Sequence, residues 1–116
     1  MGKRQDITEY VLGEAIGITL NLRERNLDAM DLSGTPSIDF IISELSSRRK
    51  LVALSYNDGV QVTDLPTAEA LVTIEPERQR LLRADTDYWY DLWADTGSGP
   101  IHQACGLFRL RSAVKP

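Results

Sequence analysis

Asp87-Tyr88-Trp89-Tyr90-Asp91-Leu92-Trp93 is the stretch that decides the fold. All of it except Leu92 is aromatic or acidic, and none of it suits a loop. Side chains alternate between the two faces of a strand. Tyr88, Tyr90 and Leu92 therefore share one face, and Trp89, Asp91 and Trp93 share the other. A strand this aromatic, followed by the flexible loop Asp95-Thr96-Gly97-Ser98-Gly99-Pro100 and a further strand, fits the centre of a β-sandwich.

Moving outward, the same period of two recurs along the chain, and a helical period is almost absent. Ile7 to Leu12 predicts a first strand, broken by Gly13-Glu14. In the next run, Ile16, Ile18, Leu20 and Leu22 alternate with Gly17, Thr19, Asn21 and Arg23, the mark of a strand with one wet face. Ser33-Gly34-Thr35-Pro36 is a turn, and Ser37 to Leu45 is again strand-like. Leu51 to Tyr56 and Val60 to Val62 flank Asn57-Asp58-Gly59, which predicts a hairpin. Ala70 to Glu75 is another strand. Ile101 to Cys105 and Leu107 to Arg111 close the domain as a bulged or kinked pair around Gly106.

Only Pro76 to Arg83 reads as a helix, with proline in its first turn and Leu81-Leu82 available to dock it. It is too short for more than about two turns, so it is expected to cross between sheets. Strands punctuated by turns every 8 to 12 residues or so predict an all-β, immunoglobulin-like antiparallel β-sandwich of about seven to nine strands. One short crossover helix near 76–83 completes it. The sequence reads as a single domain over residues 1–116, with about the first six residues expected to be disordered.

Composition narrows the function. The 116 residues are 42% hydrophobic and 26% charged, ordinary values for a globular domain able to bury a core. A net charge of −4 disfavours nucleic-acid binding, and no segment approaches the roughly 20 apolar residues that span a bilayer. Arg48-Arg49-Lys50 and the arginines between Arg78 and Arg83 fit solvated edges that discourage stray sheet pairing. With one cysteine, Cys105, there is no internal disulfide and no thiolate cluster. The N-terminus lacks a signal peptide's apolar run, so synthesis in the cytoplasm is expected.

No residue group makes a convincing catalytic or metal site, so no enzyme activity and no cofactor are expected. His102 and Cys105 stand three apart, which on a regular strand sends them to opposite faces. Ser33, Ser43 and Ser98 have no base partner. Gly97-Ser98-Gly99 is too short to cradle phosphate and precedes a strand. The carboxylates of Asp85, Asp87, Asp91 and Asp95 are spread along a strand whose eight residues span about 26 Å. Calcium at Asp85 and Asp87, helped by another loop, is the outside alternative to a solvated loop. Trp89, Asp91 and Trp93 are the candidate partner-contact residues. Two indoles flanking a carboxylate suit a protein-contact patch if they face outward, and also a sugar-stacking platform.

The order of these features resembles that of small phage tail baseplate domains, typified by the N-terminal domain of the baseplate upper protein of tailed phages. Ile7 to Leu12 with Gly13-Glu14 is similar to the opening strand and glycine-acid turn of that family. Leu27-Asp28-Ala29-Met30-Asp31-Leu32-Ser33-Gly34 resembles its leucine-aspartate-leucine-threonine-glycine turn. Tyr88-Trp89-Tyr90-Asp91-Leu92 looks like its aromatic strand, and Gly106-Leu107-Phe108-Arg109-Leu110 like its closing strand. The likeness runs from Ile7 to Val114. Trp89 and Trp93 depart from it, standing where smaller or polar residues are usual, and no receptor-binding domain follows before Pro116.

The resemblance implies an immunoglobulin-like sandwich that joins tail-tip components. The expected function is therefore a phage or prophage virion structural protein of the tail or baseplate. It would be made in the bacterial cytoplasm and would contact other virion proteins and copies of itself, with no nucleic-acid or membrane partner. The alternative from another class is a small carbohydrate-binding module using Trp89 and Trp93.

Overall fold

The computed structural model describes residues 2–113; Val114, where the family likeness ends, lies outside them. Among the described residues there are eight strands: β1 (Lys3–Arg4), β2 (Ile16–Asn21), β3 (Ser37–Glu44), β4 (Lys50–Tyr56), β5 (Gly59–Asp64), β6 (Glu69–Ile74), β7 (Tyr88–Asp95) and β8 (Ile101–Phe108). The protein is all-β. Its ladders join every strand into one mixed sheet, curled over on itself, in the order β1-β8-β7-β3-β4-β5-β6-β2. The strand number agrees with the sequence; the expected separation into antiparallel sheets does not appear in the ladders.

The reason lies at the predicted hairpin. Asn57 (φ 67°) and Gly59 (φ 97°) turn the chain sharply. β4 and β5 then pair only at Ser55 with Gly59 and Tyr56 with Val60, in parallel sense. Asn57-Asp58-Gly59 is thus a corner that carries the sheet from one half to the other. Gly59 is required there twice over, by its positive φ and because a Cβ would stand 2.8 Å from Leu54 Cδ2.

Between the two halves lies the core. Ile38, Phe40 and Ile42 of β3 meet Tyr88, Tyr90, Leu92 and Ala94 of β7 on the inner side. Ile16, Val60, Val72 and Ile74 close over them from the other half. The Phe40 and Tyr90 rings stack with centroids 5.5 Å apart. Each such large side chain contributes roughly 1.5–3 kcal/mol through burial.

Other expectations are corrected in detail. The helix expected near 76–83 is a single 3₁₀ turn, Pro76–Gln79. Leu82 docks in the core as expected, but Leu81 faces solvent. Gln79 ends that turn with its side chain turned inward: the buried carboxamide donates to Glu14 O and Ile74 O and accepts from Gly13 N–H. Ile7 to Leu12 is no regular strand, touching β8's course only through bridges at Ile7 and Val11. Lys3–Arg4, in the stretch expected to be disordered, pair in parallel with Ala104 and Cys105. β8 runs as one strand through Gly106, and its bulge falls elsewhere.

Candidate functional site

β7 is flanked by β3 and β8, so its outward side chains sit in the middle of a sheet face. Across the β3 ladder Trp89 faces Ser43, Asp91 faces Ile41 and Trp93 faces Asp39. Across the β8 ladder the same three face Leu107, Cys105 and His102. All three predicted contact residues therefore lie on the outer face, as the alternation requires, while Tyr88, Tyr90 and Leu92 are buried.

The two indoles are not equivalent. The Arg4 and Arg48 guanidinium carbons lie 5.4 Å and 5.6 Å from the Trp89 ring centroid. These contacts half-cover the ring and hold both arginines by cation–π attraction. Trp93 packs against His102, centroids 4.8 Å apart, and remains 38% exposed. It is the large apolar side chain that this face offers to solvent.

The sequence argument that separates His102 from Cys105 fails here for a specific reason. Leu92 pairs with Ala104 but Trp93 pairs with His102, so Gln103 has no partner on β7. This one-residue bulge changes the phase of β8. His102 and Cys105 come out on the same face, with Asp91 opposite Cys105. His102 Nε2 lies 2.9 Å from Asp91 Oδ1, and one donor atom from each of Asp91, His102 and Cys105 lies within 4.8 Å of the others. The available signal was the spacing of the apolar residues. Ile101 and Ala104 are three apart, which breaks the period of two one step before Cys105.

A nucleophilic cysteine needs its histidine between thiol and carboxylate, one ring nitrogen to each. In this protein Asp91 takes Nε2, and the Nδ1 side is covered by Gly2: a Cβ placed on Gly2 would collide with that nitrogen. The relay is not built. The three groups instead converge as donors on one half-buried spot.

The remaining acidic residues disperse. Asp87 pairs with Arg109 at 3.1 Å and Asp85 accepts from the Ser112 hydroxyl at 2.6 Å. Asp95 caps its own loop through the Gly97 and Gly99 N–H groups. These carboxylates do not converge on a calcium-like cage.

Beneath the face, Tyr90 donates its hydroxyl to Gln5 O. Burial pushes that hydroxyl's pKa up to about 12, and the nearby Cys105, Asp6 and Asp91 charges add to the effect. Gly106 makes the contact feasible, since a Cβ there would stand 2.5 Å from Gln5 O. No family model matches the chain, and a search of curated proteins finds no match.

Proposed function

We propose that this chain is a non-enzymatic structural part of a phage or prophage virion, in the tail or baseplate, and that it works by subunit contact through the outer face of β7. The observation that carries the reading is Trp93: a large indole, 38% exposed, held in a fixed orientation against His102 on a rigid central strand. Rigid, exposed aromatics are the usual anchors of protein interfaces, because they offer area at little entropic cost. Half-buried Ile41 and Leu107 extend the apolar character on either side. The tail setting comes from the resemblance of the ordered motifs alone.

The sugar-platform alternative is weaker on this geometry. It needs two free indole faces, and Trp89 already has guanidinium groups over its ring.

The test is quantitative mass spectrometry of particles pelleted after induction of the source culture. A fixed ratio of this protein to tail components supports a virion part. Particles that form without it, leaving it in the supernatant, defeat the reading. Saccharide titration followed by tryptophan fluorescence then becomes the next experiment.

A further inference from the structure

We propose that Asp91, His102 and Cys105 form a binding site for a borderline-soft divalent cation, zinc in the first place. The donor set is one carboxylate oxygen, one imidazole nitrogen and one thiol sulfur, brought within 4.8 Å of one another. Zinc accepts this mixture. Calcium and magnesium require oxygen donors almost exclusively. A tetrahedral zinc site places its donors about 3.3–3.7 Å apart, as bond lengths near 2.0–2.3 Å dictate. The present contacts, 2.9 Å between His102 and Asp91 and at most 4.8 Å to Cys105, bracket that range. Small side-chain rotations therefore suffice, with no movement of backbone.

The scaffold favours the site in two further ways. His102 and Cys105 share one strand across a bulge, and Asp91 faces them from the neighbouring ladder, so all three donors stand on rigid paired backbone. Their surroundings are half-shielded, with His102 and Asp91 side chains 19% and 33% exposed, which admits an ion while limiting competing water. Arg4, whose backbone is in register with Cys105, directs its guanidinium to Asp6 at 3.4 Å and over Trp89. Three protein donors leave a fourth position for water or for a group brought by a partner.

Binding balances simply. The Cys105 thiol gives its proton to solvent and becomes the thiolate ligand. His102 binds as the neutral Nδ1–H tautomer: the proton that Nε2 shares with Asp91 leaves to solvent while Nδ1 takes one up, which frees Nε2 for the metal. Asp91 exchanges that hydrogen bond for a bond to the metal. No oxidant or reductant takes part. Affinity must therefore fall as pH falls, because protons compete for the sulfur and the imidazole. The proposal is independent of the virion assignment and can fail or succeed apart from it.

Cobalt(II), zinc's spectroscopic stand-in, provides the test on the reduced, metal-free full chain. The expected result is saturation at one equivalent, with visible bands of tetrahedral cobalt and a near-ultraviolet thiolate-to-cobalt band, all erased by zinc. Cobalt should also quench Trp93, which touches His102. Cys105→Ser should abolish the thiolate band. His102→Gln and Asp91→Asn should each weaken binding by at least about tenfold, the lower bound for disturbing a metal site. A wild-type spectrum that stays that of hydrated cobalt overturns the proposal, whatever the variants do. So does a thiolate band whose affinity is unchanged in both His102→Gln and Asp91→Asn, which is an adventitious thiol complex only.

Discussion

Gln103 pairs its carboxamide with both backbone groups of Arg23: the Arg23 N–H donates to Gln103 Oε1 at 2.7 Å, and Gln103 Nε2 donates to Arg23 O at 2.9 Å. One side chain thus does the work of a strand partner for the segment after β2. It also gives the unpaired bulge residue of β8 a reason to stay bulged, and the bulge is what turns His102 to the outer face.

Removing that side chain tests the connection. Gln103→Ala should lower unfolding free energy by about 2 kcal/mol, the net worth of two hydrogen bonds at roughly 0.5–1.5 kcal/mol each. Gln103→Glu keeps the acceptor and loses the donor, and should fall between the two. Urea unfolding of the three proteins measures this, and identical midpoints for wild type and Gln103→Ala would falsify it.

Tyr90 should make the fold sensitive to alkali. Its folded-state pKa stands near 12 against an ordinary 10.0, so the unfolded chain releases this proton first. The tyrosine's contribution is whole below pH 10 and is lost as pH rises through about 12. Tyr90→Phe should be about 1 kcal/mol less stable at neutral pH, having lost the bond to Gln5 O, yet show a shallower alkaline decline. Parallel declines of the two proteins would remove Tyr90 from the account.

Gln79 is 3% exposed and makes three hydrogen bonds that pin Gly13 and Glu14 to the end of β6. Gln79→Leu keeps the volume roughly and leaves the buried Ile74 O unpaired, at about 1–3 kcal/mol, together with the part-buried Gly13 N–H and Glu14 O, which water can partly satisfy. A loss of about 3 kcal/mol in chemical denaturation is expected, with faster amide exchange at Gly13. Unchanged protection of that amide would show the loop to be held by something else.

What the sequence could reveal was set by the range of the forces involved. The faces of β7 followed from Tyr88, Tyr90 and Leu92 alone, because alternation is a local property of an extended chain. β2 and β3 were equally legible through Ile16 and Ile18 and through Ile38, Phe40 and Ile42. The bulge was not, because it depends on Gln103 meeting Arg23, 80 positions away in sequence. Gly106 drew the bulge prediction to itself as the obvious breaker, yet it serves Gln5's close approach. The corner at Asn57-Asp58-Gly59 kept its turn chemistry and changed its consequence. Turn residues specify that a chain bends; they do not specify which strands then pair.

Trp93 and its neighbour Leu92 provide the sharpest contrast on one strand. Leu92 is fully buried, so Leu92→Ala should cost about 2–5 kcal/mol through lost burial and the cavity left behind. Trp93→Ala removes a larger side chain from an exposed position and should cost no more than about 1 kcal/mol, mostly its packing on His102. If the outer face is a contact surface, Trp93→Ala should nonetheless be the variant that weakens association, read by sedentimentation equilibrium or by incorporation into particles. A large drop in thermal stability for Trp93→Ala, comparable to that of Leu92→Ala, would place the indole in the energetics of folding and strip the contact proposal of its anchor.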